Sequence, residues 1–214
     1  MKSSLKDKRI LLTYGPTWVA IDHMRVISNR SSGQVGRLIA EGLIQAGAKV
    51  TILEGPVTVP LKNPRARIKK FVYFDDFKKL FLTELKKHHQ IVIHAAAVSD
   101  FAPVSRHRTK IASDQPLKLT CLPTPKLIKK VRSLSPKSLL VGFKLESVSS
   151  ERALKSRAMK SVKTNACDLV VANSLTGGYT GFIFDRNGSR LGSGKSRKAI
   201  AHRLISVLQK RIHP

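Results

Sequence analysis

A strand, a glycine-bearing turn and a helix, read between residues 9 and 47, constrain this chain more than any other feature. Ile10, Leu11 and Leu12 form a short apolar run that Gly15-Pro16 stops, the pattern of a strand buried in a parallel sheet. Asn29 to Ser32 then supply polar side chains suited to a helix N-cap, and Gly33 and Gly36 let a backbone approach closely. Behind them Val35, Leu38, Ile39, Gly42, Leu43 and Ala46 recur at helical spacing until Gly47 ends the helix. Unpaired N–H groups and the dipole of such a helix start both favour an anion. As a dinucleotide fingerprint the motif is incomplete. The first glycine of G-x-G-x-x-G is missing, and roughly fifteen residues separate strand from helix where a Rossmann turn needs only a few. On spacing alone, Gly33 and Gly36 serve tight helix packing equally well.

The same alternation continues along the chain. Lys49–Glu54 reads as a second strand closed by Gly55-Pro56, and Arg67–Phe74 as a third. Asp75-Asp76 cap a helix with Phe77, Leu80, Phe81 and Leu85, which ends near His88-His89. Ile91–Ala97 is apolar on both faces, as a central parallel strand is. His94 within it reads as a satisfied core histidine, while Asp100 follows at the carboxyl end, where ligands bind in open α/β sheets. Residues 101–116 are polar, basic and aperiodic, and contain Arg106, His107, Arg108 and Lys110. So long a loop in a compact fold is usually functional or disordered, and its charge suits it to cover a polyanion. Leu117–Leu122 reads as a short strand, Pro123–Leu134 as a helix, Leu139–Glu146 as a strand, and Ser150–Thr164 as a basic helix. Asp168–Asn173 is the last core strand. A hairpin turning at Asn187-Gly188 and a helix from Ser196 close the pattern. The expected fold is α/β: one Rossmann-like, doubly wound, mostly parallel sheet spanning 1–214, with a C-terminal hairpin and final helix.

Composition excludes several classes. With 42% hydrophobic residues the chain is globular, and no apolar run reaches membrane-spanning length. The N-terminal residues lack the apolar segment of a secretory signal, so a cytoplasmic protein is expected. Cys121 and Cys167 lie apart in apolar runs and read as buried free thiols; no metal-ligand spacing appears. Forty Lys and Arg against thirteen acidic residues give a net charge of +27. That field draws anions, but the cations are scattered, without a zinc-finger or RNP-like motif, and specific nucleic-acid recognition is disfavoured. From the residues alone, the phosphate-friendly turn at Ser31–Gly36, Asp100, a lid with Lys110, and the strand ends at Gly142-Phe143 and Ala172-Asn173 describe a nucleotide-handling crevice. A serine triad, paired glycosidase carboxylates and a P-loop are all missing.

Six segments carry a resemblance that covers nearly the whole chain. Gly15-Pro16-Thr17 with Ile21-Asp22, Arg25, Ile27–Asn29 and Ser31–Gly33 closely resembles the opening of phosphopantothenate–cysteine ligase. Ala95–Pro103 looks like that family's Ala-Ala-Ala-Val-x-Asp-Tyr-x-Pro, and Lys110 stands ten residues after Asp100, at the place of its essential lysine. Val141–Glu146 resembles Val-Gly-Phe-x-x-Glu, Asp168–Asn173 resembles Asp-x-Ile-Val-Ala-Asn, and Gly194–Lys198 matches the lead into the last helix.

The resemblance implies a two-step ligation in coenzyme A biosynthesis. The carboxylate of 4′-phosphopantothenate attacks the α-phosphate of CTP or ATP, releasing pyrophosphate. The amine of cysteine then displaces the nucleoside monophosphate from the acyl-nucleotidylate. Mg²⁺ is expected to accompany the phosphates. The resemblance places Lys110 on the phosphates, Asn29 at the acyl-nucleotidylate and Arg25 in its conversion to product. It places Gly15, Ser31, Gly33, Ala96, Asp100 and Phe143 at the nucleotide, with Lys160 or Lys163 joining from the basic helix. It also implies a homodimer. The flavin-dependent decarboxylase fused to many bacterial ligases has no counterpart in these 214 residues, so decarboxylation is expected of another protein. Departures bear on nucleotide choice: Ile111 to Ser113 replace the further lysines usual after the essential one, and Thr124-Pro125-Lys126 replaces Asn-Pro-Asp. The competing readings are a basic nucleotide- or nucleic-acid-binding module on the same fold and a nicotinamide-dependent reductase, the latter disfavoured by the incomplete glycine fingerprint.

Overall fold

The computed structural model describes residues 5–105, 107, 109–148 and 150–212; Arg106 and Arg108 of the basic loop lie outside them. In chain order the elements are β1 (Arg9–Tyr14), β2 (Trp18–Ala20), β3 (Val26–Ser28), α1 (Gln34–Gln45), β4 (Lys49–Glu54), β5 (Arg67–Lys70), α2 (Phe74–Leu85), β6 (Ile91–His94) and β7 (Phe101–Pro103). Then come β8 (Cys121–Pro123), α3 (Lys130–Leu134), β9 (Leu139–Glu146), α4 (Glu151–Asn165), β10 (Leu169–Ser174), β11 (Thr180–Asp185), β12 (Arg190–Gly194) and α5 (Arg197–Arg211). Eight strands make one sheet in the order β12-β11-β10-β9-β6-β1-β4-β5. The six strands from β5 to β10 are parallel, and β11 and β12 are antiparallel additions. The fold is Rossmann-like α/β. Its order reverses between β1 and β6, the topological switch point where such sheets open a crevice.

The alternation of each strand sorts its side chains between two cores. Ile10, Leu12, Ile91, Ile93, Leu169 and Val171 pack beneath α1 and α5 through Ile39, Leu43, Leu204 and Leu208. Leu11, Val92, Leu140 and Val170 face α2, α3 and α4 through Phe77, Phe81, Val131, Leu154 and Ala158. Both faces of the central strands are therefore dry, which is why they read as unbroken apolar runs.

Several local expectations are corrected. Arg67–Phe74 keeps its strand only over Arg67–Lys70, and α2 starts at Phe74, with Asp75 and Asp76 inside its first turn; the Asp76 carboxylate accepts the Tyr73 amide at 3.3 Å. The helix expected over Pro123–Leu134 is a 3-10 turn at Leu127–Lys129 running into the five residues of α3. His88 adopts φ +54°, ending the turn after α2, and His89 is buried beside Glu84. Cys167 is buried, but Cys121 is only half-buried. The long segment after β1 forms a hairpin, β2–β3, and the basic loop is flanked by a second one, β7–β8. No described helix is long and apolar enough to cross a membrane.

Candidate functional site

Two loops at the switch point are stitched together before any ligand arrives. The β1–β6 ladder continues past the strands, with the Ala95 amide on the Thr13 carbonyl and the Ala97 amide on that of Gly15, each at 2.9 Å. Thr17 and Ser99 are both buried. The Ser99 amide donates to the Thr17 hydroxyl at 2.8 Å, and the Ser99 hydroxyl to the Thr17 carbonyl at 2.9 Å. The Thr124 hydroxyl then reaches the Ser99 carbonyl at 2.6 Å, and the Thr124 amide that of Asp100 at 2.9 Å. The small side chains of Ala95 to Ala97 keep the space beside this wall open. A cleft of about 1160 Å³ results, large enough for a nucleotide with a second substrate.

The glycine turn forms its floor. Gly33 is the N-cap of α1 at φ +72°, and a β-carbon there would lie 2.3 Å from Val57 Cγ1. This position therefore excludes side chains both by conformation and by space. No side chain caps α1; the Ser32 hydroxyl accepts the Gln34 amide at 3.4 Å. With no acidic residue in its first turn, the helix start keeps its partial positive charge directed at the cleft. Tyr14 supports the turn from below, its hydroxyl donating to Glu54, whose carboxylate also accepts the Leu61 amide at 2.9 Å. Burial, followed by the Glu54 carboxylate, pushes the Tyr14 hydroxyl far above its usual range, so it stays a donor.

Seven of the residues expected at the site line this cleft: Asn29, Ser31, Gly33, Ala96, Asp100, Phe143 and Lys160. The Asn29 amide donates to the Val98 carbonyl at 3.0 Å, tying the arm before α1 to the loop after β6. His94 also borders the cleft, its Nδ1 3.1 Å from the Thr13 hydroxyl. Burial lowers its pKa to about 4, which leaves it neutral.

Four expected residues lie elsewhere. Gly15 sits behind the turn, packed on Gly55 and Val57. Lys163 is off the working face of α4, because burial of Leu154, Ala158 and Val162 rotates Arg157, Lys160, Ser161 and Thr164 toward the cleft. Lys110 and Arg25 do not line the cleft either. The Arg25 guanidinium bonds Asp22 and the Ile111 carbonyl, both at 3.2 Å, and so joins the basic loop to the β2–β3 hairpin.

Several residues beyond the expected site set also shape the cleft. Lys126 pairs with Asp100 at its mouth. Arg157 lies 3.6 Å from Glu146, which also holds Lys144 at 3.0 Å. At the far end Arg197 stacks over the Tyr179 ring, 5.3 Å from its centroid. The i, i+3, i+4, i+7 spacing of 157, 160, 161 and 164 was the available signal for the α4 face. Nothing local announced the Thr17–Ser99–Thr124 wall. Among the described residues no cluster of three or more metal-ligating side chains occurs.

The chain and its fold resemble known proteins. The bifunctional coenzyme A biosynthesis protein CoaBC of Thermococcus kodakarensis is 42% identical over 173 residues, 80% of this chain and 42% of that protein. CoaBC of Bacillus subtilis is 32% identical over 86% of this chain and 44% of its own length, so the chain spans less than half of either relative. The crystal structure of the DNA/pantothenate metabolism flavoprotein from Streptococcus pneumoniae superposes with a TM-score of 0.85 at 27% identity, covering 95% of this chain and 99% of that one. A Cab2 mutant in complex with phosphopantothenate-cysteine shares the fold at a TM-score of 0.77 and 18% identity, over 96% of this chain and 87% of that one. The family described as the DNA/pantothenate metabolism flavoprotein C-terminal domain matches residues 5–210, and this chain belongs to it.

Proposed function

We propose that this chain is a phosphopantothenate–cysteine ligase, acting in coenzyme A biosynthesis through an acyl-nucleotidylate formed from CTP or ATP. The carrying observation is that one cleft gathers Asn29, the Ser31–Gly33 turn, Ala96, Asp100, Phe143 and Lys160 from four separate segments. Their chemistry suits the reaction. A carboxylate must meet a triphosphate, so the site has to offset repulsion between anions. The bare start of α1, Lys160 and Arg157 supply that charge, and backbone groups along Ala95–Val98 can read a base edge. In the first step the substrate carboxylate bonds to the α-phosphorus and pyrophosphate leaves. In the second the cysteine amine bonds to the acyl carbon, loses a proton, and the nucleoside monophosphate leaves. Asn29 suits the acyl-nucleotidylate because an amide polarises an acyl group without adding charge.

Lys110 is assigned to the phosphates and Arg25 to product formation. Both sit on the joined loop and hairpin, so they reach a cleft only as that unit is presented to it. Mg²⁺, when bound, would neutralise phosphate charge. The carboxylates at the mouth, Asp100 and Glu146, already hold cations, so the ion would be carried mainly by the nucleotide. A homodimer accounts for the apolar surface that the two hairpins and their loops expose through Met24, Phe101, Val104 and Leu122. A cytoplasmic location accords with soluble substrates.

Pyrophosphate release with phosphopantothenate, cysteine and either CTP or ATP tests the reading. Product should form stoichiometrically with pyrophosphate. Lys110→Ala should slow the first step by about two decades, and Asn29→Asp should let the acyl-nucleotidylate accumulate. Absence of pyrophosphate with both nucleotides would overturn the assignment.

A further inference from the structure

Asp22 sits in the turn of the β2–β3 hairpin and is only 2% exposed, unusual burial for a carboxylate at a hairpin tip. Its two oxygens do different work. Oδ1 accepts the amides of Met24 at 2.8 Å and Arg25 at 2.7 Å, which shapes the turn itself. Oδ2 accepts the Ile111 amide at 3.1 Å and the Arg25 guanidinium at 3.2 Å. The same guanidinium holds the Ile111 carbonyl at 3.2 Å, so both polar groups of the Ile111 backbone are gripped. A second tie joins the His107 amide to the Ile21 carbonyl at 3.1 Å, and the base of the loop is closed by the Val104 amide on the Thr120 carbonyl at 3.0 Å. Lys110 therefore lies on a stretch pinned on both sides, immediately before Ile111. Burial acts to raise the Asp22 carboxyl, but the amides of Ile111, Met24 and Arg25 and the Arg25 charge together hold it below the usual carboxylate range. It is an anion at neutral pH.

We infer that Asp22 is a positioning residue for the ligation: through Oδ2 it anchors the segment that carries Lys110 to the β2–β3 hairpin. The inference rests on the ligase reading for its kinetic consequence, while the anchor itself stands on geometry alone. A lysine on an aperiodic loop would sample many positions, and the entropy of ordering it would fall on every turnover. Anchoring at Ile111 places that cost in folding instead. The division between the two oxygens permits a clean variant. Asp22→Asn can keep Oδ1 on the two turn amides, since asparagine suits such turns, but turns an amide donor toward the Ile111 N–H. The loop side of the grip is lost, along with the Arg25 guanidinium's bond to the same oxygen, while the two turn amides keep their acceptor.

Hydrogen exchange on the ligand-free protein reads the anchor directly. In Asp22→Asn the Ile111 amide should exchange at least about tenfold faster, with β1 and β6 unchanged. Unchanged Ile111 exchange would overturn the anchor. Single-turnover pyrophosphate release then reads the positioning. Asp22→Asn should lower the first-step rate about tenfold with little change in nucleotide affinity, yet have almost no effect in a Lys110→Ala background. An equal loss in both backgrounds, or a faster-exchanging loop with an undiminished rate, would refute the role assigned to Asp22. If the wild-type protein releases no pyrophosphate, the ligase reading fails and with it the kinetic role, while the exchange result still decides the anchor.

Discussion

Gly36 stands so close to Tyr14 that a β-carbon on it would lie 2.2 Å from the Tyr14 Cβ. The first turn of α1 thus rests directly on the side chain at the end of β1. The Tyr14 hydroxyl is in turn fixed to Glu54 at the end of β4. The height of the Ser31–Gly33 turn above the sheet is set by this stack.

Gly36→Ala should therefore lift α1 and cost about 1–3 kcal/mol of stability, read as a lower denaturant midpoint at constant slope. Nucleotide affinity should fall together with stability, because the helix start moves with the strain. Retained stability would mean that α1 is free to slide.

At the cleft mouth, Lys126 and Asp100 are each more than half exposed, so their ion pair contributes little to folding. Lys126→Asp should leave the melting temperature nearly unchanged. It sets a second carboxylate beside Asp100, where a triphosphate would be repelled, and calorimetry should show nucleotide affinity about tenfold weaker. An unaltered affinity would place the triphosphate away from this edge.

His94 gives stability a defined pH dependence. Its folded pKa of about 4 lies below the unfolded value of 6.5. Between these values the unfolded chain binds the extra proton, so stability is lost as pH falls from 6.5 toward 4, and no further below that. The loss is on the order of 3 kcal/mol. Unfolding measured from pH 7 to 4 should be visibly flatter in His94→Gln. His89, lowered mainly by burial, titrates with the same sign and will leave part of the slope.

Glu84 acts in a more acid window. Burial raises its carboxyl, but the ammonium groups of Lys69 at 2.7 Å and Lys87 at 2.9 Å outweigh it and hold the pKa at about 2. A depressed carboxylate stabilises above its unfolded pKa of 4.5 and loses that contribution as pH falls toward 2. Glu84→Gln should be less stable at pH 7 by up to about 3 kcal/mol. Its acid unfolding should also lack the wild-type drop below 4.5. An identical acid midpoint would show that the two lysines are not its partners in solution.

Much of this was legible along the chain. Ile91–His94 and Leu139–Glu146 showed buried parallel strands, Ser150 and Ser196 cap α4 and α5 through the Ala153 and Ala199 amides, and Gly188 turns the final hairpin at φ +81°. The β2–β3 hairpin was not legible, and of the strand read at Leu117–Leu122 only Cys121 and Leu122 fall in β8. Each of these hairpin strands has only three residues, and pairing or anchoring comes from distant partners such as Trp18 N–H on the Val72 carbonyl. Polar residues before α1 suggested a side-chain cap, but Val57, arriving from the loop after β4, leaves room only for glycine at that position.

Periodicity and chain breakers are properties of neighbouring residues, so the sequence by itself determined which segments are strands and helices, in what order, and that a glycine turn follows the first strand. Which cations meet is another matter. Arg157 turns into the cleft and Lys163 away from it because Leu154, Ala158 and Val162 lock the rotation of α4 against the sheet. Asp22 and Ile111 are 89 residues apart and meet only because two loops leave neighbouring strands at the same edge. Such juxtapositions depend on packing between elements remote in the chain, and the tertiary structure alone decided them.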